Sequence, residues 1–211
     1  LERLDAPEHS LLSIEDIEGL DNLARSDVLF SLGLHQQARR EIGRAEKLNE
    51  TSLEKLKLIR DRYEALGFLS RALRLSMRIF VANGKRSEWG RVYPNYYWEE
   101  IVRAAAEAKV DPYLVLSVIR QESTFNEGAT SRAGARGLMQ IMPKTGKTLA
   151  THLGMHRFNH SSLYDPDVSI RLGSYFLGDQ VRQFTNGATA DMGFELGLAA
   201  YNAGPHNARQ W

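Results

Sequence analysis

One glutamate, Glu122, is the residue of this chain best placed to do proton chemistry. It closes the apolar run Leu114, Val115, Val118 and Ile119, whose spacing is that of a helix. A carboxyl group at the greasy end of a helix loses water when the fold closes over it, which disfavours the charged form and lifts its pKa. The default for a helix-terminal Glu is a solvated side chain, so its surroundings decide. They are a loop of Gly, Ala, Ser and Thr, then a short apolar segment, Gly137-Leu138-Met139-Gln140-Ile141-Met142, stopped by Pro143. A third small-residue motif, Ala199-Ala200-Tyr201-Asn202-Ala203-Gly204, supplies a phenol and an amide, and reads alone as an ordinary helix C-terminus.

Other acids lack the apolar flanking of Glu122. Glu127 lies in the Gly-rich loop, Asp165 and Asp167 read as helix-start residues, and Asp191 and Glu195 head the last helical stretch. A two-carboxylate glycosidase needs a pair about 5–9.5 Å apart, and the sequence favours a single acid instead. His152, His156 and His160 recur at helical spacing. Leu153, however, stands where a metalloprotease helix carries its general base, and Gly154 and Asn159 weaken the helix. Gly146-Lys147-Thr148 resembles the tail of a phosphate loop, but Ile141 occupies the position of its first Gly and no strand precedes it. No metal and no cofactor are expected.

The elements that must hold these residues are helical throughout. Ser13 with Asp16 caps a first helix running to Gly33, and a second covers His35 to Leu48. Thr51 or Ser52 caps a third that ends at Gly67, and a fourth runs from Phe68 to Val81 and stops at Asn83-Gly84. Short turns between them imply antiparallel pairs stacked as a superhelix or solenoid, without a clean repeat motif. Gly84 to Asn95 breaks the periodicity, which gives a helical domain over 1–85 and a second over 86–211. Trp89, Tyr93, Tyr96, Tyr97 and Trp98 gather there, and packing between the domains is the expected role, with a sugar-stacking platform as the alternative. Further helices are expected from Tyr97 to Ala108, after Asp111-Pro112, from Pro143 to Leu153, after Asp165-Pro166, and from Met192 to Ala200. Strand signals are nearly absent, so the fold class is all-α.

With 211 residues, the chain can bury one large core or two small ones. Lys and Arg number 27 against 26 Asp and Glu, a balance that argues against a dedicated nucleic-acid binder. The lack of cysteine rules out disulfides and thiolate chemistry. No stretch approaches the roughly 18 apolar residues of a membrane span, and no signal-peptide pattern opens the chain at Leu1. A start at Leu is expected to reflect processing or trimming, which leaves export open.

Together, Glu122-Ser123, Gly137-Leu138-Met139-Gln140 and Ala200-Tyr201-Asn202-Ala203-Gly204, in that order and spacing, resemble the three signature motifs of the soluble lytic transglycosylases. These bacterial enzymes of peptidoglycan carry a goose-type-lysozyme-like, all-α catalytic domain. The resemblance covers roughly residues 93–211, and the helical N-terminal half is similar in architecture to the family's superhelical domain. It implies a periplasmic enzyme acting on glycan strands and cutting the β-1,4 bond between N-acetylmuramic acid and N-acetylglucosamine without water. By the same match Glu122 is the acid and then the base, and Ser131 and Gln140 hydrogen-bond the sugar or orient Glu122. Met139 walls the groove, and Tyr201 and Asn202 hold the acetamido group and the acid's geometry. The family domain continues past its third motif, so the domain is expected to be incomplete at Trp211. A lysozyme-type hydrolase and a non-catalytic peptidoglycan-binding module remain as alternatives.

Overall fold

The computed structural model describes residues 17–185 and 190–210. It divides into two compact units, one ending at Pro94 and the other beginning at Asn95. Among the described residues there are no strands, only two isolated bridges in one loop, and the protein is all-α.

The first unit holds α1 (Leu20–Ser31), α2 (His35–Leu48), α3 (Leu53–Ala65) and α4 (Leu69–Asn83). Successive helices pack on one another around Leu23, Ile42, Leu56, Ile59, Tyr63, Leu75 and Ile79. Ser13 and Asp16 lie outside the described residues, and α1 begins at Leu20, later than a cap at Ser13 implies. Gly19 takes φ +78° there, and that left-handed residue separates the preceding turn from the helix. Ser52 caps α3, its hydroxyl accepting from the Lys55 N–H at 3.5 Å.

Two helix ends are built identically. At Gly33 (φ +75°) its N–H donates to Phe30 C=O and that of Leu34 donates to Leu29 C=O. At Gly67 (φ +73°) its N–H donates to Glu64 C=O and that of Phe68 donates to Tyr63 C=O. Both are Schellman closures. Gly33 and Gly67 stand 34 positions apart, so α1–α2 and α3–α4 are two turns of one repeating helical hairpin that the side-chain pattern conceals.

Past α4 come a 3-10 turn (Arg86–Glu88) and the one-turn helix α5 (Trp89–Val92). Buried Glu88 accepts from the buried Arg60 guanidinium at 2.8 Å and fastens this segment to α3. Trp89 stacks on Tyr93 and meets Phe80 edge-on, while Tyr96 packs against Phe125 and Trp98 against Tyr113.

In the second unit α6 (Trp98–Ala108), α7 (Pro112–Ser123), α8 (Pro143–His152) and α10 (Ala190–Ala203) all pack on the long α9 (Pro166–Thr185), and α11 (Pro205–Ala208) follows α10. Asp111 caps α7 by accepting from Tyr113 N–H at 2.7 Å, with Pro112 at the first helical position. Glycines let the helix backbones approach: a Cβ at Gly178 of α9 would lie 2.5 Å from Ala108 C=O, and one at Gly197 of α10 2.7 Å from Val181 Cα.

Glu88→Ala leaves the Arg60 guanidinium buried with Asp61 as its remaining carboxylate. It is expected to lower stability by about 3 kcal/mol in urea unfolding, because a buried charge without its partner keeps its desolvation cost. Replacing both residues by apolar ones of similar size is expected to cost clearly less.

Candidate active site

Val115, Ile119 and Ser123 form the buried stripe of α7, and Glu122 lies one residue from the helix end, partly buried beside that stripe. Burial raises its carboxyl pKa above the ordinary value. The negative end of the α7 dipole acts in the same direction. Immediately afterwards Thr124 (φ +53°) and Phe125 (φ +57°) both adopt left-handed backbone, so the chain reverses sharply behind the carboxylate. Two such non-glycine residues cost about 1–2 kcal/mol each. The buried Phe125 ring, packed edge-on against Tyr96 at 5.3 Å, offsets about 1.5–3 kcal/mol of that.

The loop after this turn is a small knot of backbone hydrogen bonds. Ser131 N–H donates to Ala135 C=O at 2.9 Å, Gly137 N–H to Ala129 C=O at 2.9 Å, and Arg136 and Ile141 exchange both of theirs. Gly137 takes φ +76°, and a Cβ there would lie 1.8 Å from Leu163 C=O and 2.8 Å from Ser169 Oγ. The segment is therefore pressed onto the 3-10 turn His160–Tyr164 and the start of α9. Met139 N–H donates to Ser169 Oγ at 3.2 Å. The Met139 side chain lies against Gly173, where an added Cβ would be 2.3 Å from Sδ.

Met139 thus differs from the expectation of a groove wall. It is 0% exposed and belongs to the core. What it presents to its surroundings is its carbonyl, which accepts the Tyr201 hydroxyl at 2.7 Å. Tyr201, on the last turns of α10, packs against Phe176 with ring centres 5.3 Å apart. Its phenol pKa is pushed well up, first by burial and then by the negative charge of Glu122. That electrostatic coupling brings the first and third motifs together in space, while the Tyr201 hydroxyl joins the third to the second.

Gln140 (φ +47°) turns its amide inward and donates to Gly137 C=O at 2.8 Å and Ala129 C=O at 3.3 Å, bracing the loop. Ser131 is exposed, its Oγ accepting from Ala135 N–H at 3.0 Å, and Asn202 is exposed on α10. Glu127 is exposed and accepts from the Tyr97 hydroxyl at 3.4 Å. His152 packs its ring against Tyr175 at 5.3 Å, and His160 offers its carbonyl to Arg136. Among the described residues no three His, Cys, Asp or Glu side chains converge as metal ligands would. Sequence reasoning missed Ser169, Gly173 and Phe176. The small pair Ser169 and Gly173, four apart on α9, is a legible sign of close approach, but its partner is not.

The sequence model of the transglycosylase SLT domain family matches residues 99–211, more than half of the chain. The chain belongs to that family. Over 112 residues the SLT domain is 35% identical to a transglycosylase of Enterobacteria phage PRD1, covering 53% of this chain and 36% of the phage protein. The soluble lytic murein transglycosylase of Escherichia coli strain K12 is 29% identical over 138 residues, 65% of this chain and 20% of its own length. An X-ray structure of an inactive glutamate-to-glutamine variant of the lytic transglycosylase Slt of Pseudomonas aeruginosa superposes with a TM-score of 0.67. It is 29% identical and covers 90% of this chain and 29% of that one. The chain spans about a fifth to about a third of the length of these relatives.

Gly134→Ala, at φ +91° with open space around it, is expected to cost about 1–2 kcal/mol from backbone strain alone. Gly137→Ala adds overpacking against Leu163 and is expected to cost about 2 kcal/mol or more beyond that in urea unfolding. Glu122→Gln removes a charge that burial penalises. The folded state of the parent holds that proton more tightly than the unfolded chain, so its stability falls as pH rises through the raised pKa. The variant is expected to melt above the parent at pH 7, with the gap closing at about pH 3.5, below the ordinary Glu pKa of about 4.3.

Proposed function

We propose that the SLT domain of this chain is a lytic transglycosylase that cuts the MurNAc–GlcNAc β-1,4 bond of peptidoglycan and leaves 1,6-anhydro-MurNAc ends. The observation that carries the reading is Glu122, a partly buried carboxyl with a raised pKa whose charge is felt by the Tyr201 phenol. The Pseudomonas relative, inactive after a single Glu-to-Gln exchange, supports a mechanism resting on one glutamate.

In the first step Glu122, protonated, gives its proton to the bridging oxygen as the C1–O bond breaks and the GlcNAc hydroxyl leaves. The muramoyl C1 acquires oxocarbenium character, which the neighbouring 2-acetamido group stabilises. In the second, the Glu122 carboxylate takes the proton of the muramoyl 6-hydroxyl, O6 bonds to C1, and the acid is restored. No water is consumed, so no second carboxylate is needed to activate one. Proton transfer of this kind contributes about 100- to 10,000-fold when the acid's pKa lies near the working pH.

The remaining roles follow from the contacts. Tyr201 and Met139 C=O fix the position of α10 against the loop, and Tyr201 is a positioning residue. The Gln140 amide nitrogen donates to two loop carbonyls, which supports a bracing role for this residue. The Ser131 hydroxyl accepts from the backbone and keeps its own proton for a sugar oxygen, and Asn202 offers an exposed amide to the acetamido group. We assign the protein to the periplasm, where peptidoglycan lies, and read the first unit as a segment of the superhelical domain preceding the catalytic one.

Digestion of purified peptidoglycan, followed by mass spectrometry of the fragments, tests this. The expected products end in anhydro-muramic acid, one water lighter than hydrolysis products, and Glu122→Gln is expected to slow their release by about 100-fold or more. The rate is expected to fall as pH rises through the raised pKa of Glu122. Reducing ends in place of anhydro ends, or a Glu122→Gln variant as fast as the parent, would overturn the proposal.

A further inference from the structure

Gly43 stands in the interior of α2, where glycine costs about 1 kcal/mol relative to alanine. No turn and no positive φ requires it there. What it does is open the roof over the buried Tyr63 hydroxyl, the nearest atom to a Cβ built at position 43, at 3.5 Å. Above that phenol lies a cavity of about 300 Å³ between α2, α3 and α4.

The walls of the cavity are basic. α2 contributes Arg39, Arg40 and Lys47, and α4 contributes Arg71 and Arg78. Glu46 and Glu50 are the acids in the lining, which leaves three positive charges in excess. Part of this charge is already engaged. Glu46 accepts from Tyr63 at 2.9 Å and lies 4.0 Å from Arg78, which also donates to Glu50 C=O at 2.7 Å, and Arg39 donates to Gln36 at 2.9 Å. Arg40, Lys47 and Arg71 have no acceptor among the described residues. Burial and Glu46 push the Tyr63 phenol up, whereas Arg71 and Arg39 pull against them, so both guanidiniums bear on the floor of the cavity.

A concave site with a hydroxyl floor, arginines converging from two helices and donors left over matches the geometry by which guanidinium groups grip oxyanions. We propose that the cavity lined by Gly43 binds a small oxyanion carrying two or more negative charges, either a phosphate or a di- or tricarboxylate, between Arg40, Lys47 and Arg71. This site lies in the first unit and is independent of the chemistry proposed for Glu122.

Isothermal titration of the whole chain at low ionic strength, with pyrophosphate and with citrate as probes, tests it. Saturable one-to-one binding of at least one probe is expected, and the one that binds identifies whether phosphate or carboxylate chemistry is preferred. The double substitution Arg40→Ser with Arg71→Ser is expected to weaken binding about tenfold or more. Arg74→Ser, on α4 outside the cavity, removes a similar charge and is expected to leave binding unchanged. Gly43→Leu fills the cavity without altering charge and is expected to abolish binding. Should that variant fail to fold, the arginine pair decides. Absence of saturable binding by both probes, or binding that survives the Arg40 and Arg71 substitutions or is lost equally with Arg74→Ser, overturns the proposal.

Discussion

The second unit depends on one close approach, that of the Gly137–Met139 segment to the His160–Tyr164 turn and α9. Gly137 lies so near the Leu163 carbonyl that no side chain fits, and Met139 fills the space over Gly173. Seating this segment aims the Met139 carbonyl outward from the core to meet the Tyr201 hydroxyl. Interiors are close-packed, so a displacement of the loop by the width of a methyl group would move that carbonyl and with it the end of α10. The place of the Tyr201 phenol, on which the Glu122 charge acts, is thus set by packing between elements that carry no chemistry themselves.

The carboxyl is held against two opposing tendencies. Water favours its charged form, while burial and the helix C-terminus disfavour that charge and raise its pKa above the ordinary value. Holding it there requires the chain to leave α7 abruptly, through Thr124 and Phe125 in left-handed conformations that neither residue prefers. Gln140 adds a third left-handed non-glycine residue in the same region. Local strain of this kind persists where the surroundings over-determine it, here through the buried Phe125 ring and the two amide contacts of Gln140.

The first unit obeys a different logic. Its helices follow a repeating hairpin closed by Gly33 and Gly67, and buried polar groups fasten it. Arg60 with Glu88 is one such fastening, and another is Glu41, whose pKa is lowered by the Asn22 amide and by Arg25 and Arg44. Those charges are matched. Arg40, Lys47 and Arg71 near Gly43 have no such match among the described residues, and the contrast within one small unit distinguishes a structural ion pair from a surface with donors to spare.

The sequence by itself determined what depends on near neighbours. Caps at Ser52 and Asp111, Pro at the head of a helix, Gly33, Gly67 and Gly84 at helix ends, and apolar spacing fix most helix boundaries, because each acts within a few residues. The apolar flank of Glu122 is equally local, and so was legible. The start of α1 at Leu20, behind the left-handed Gly19, was not. Tertiary structure alone decided that Met139 belongs to the core, that the Gln140 amide turns into its own loop, and that Tyr201 lies within reach of the Glu122 charge. These outcomes depend on which small residue of one element, such as Gly173 of α9, comes to face a large one from another. That pairing is a property of packed surfaces distant in the chain, and periodicity and propensity do not encode it.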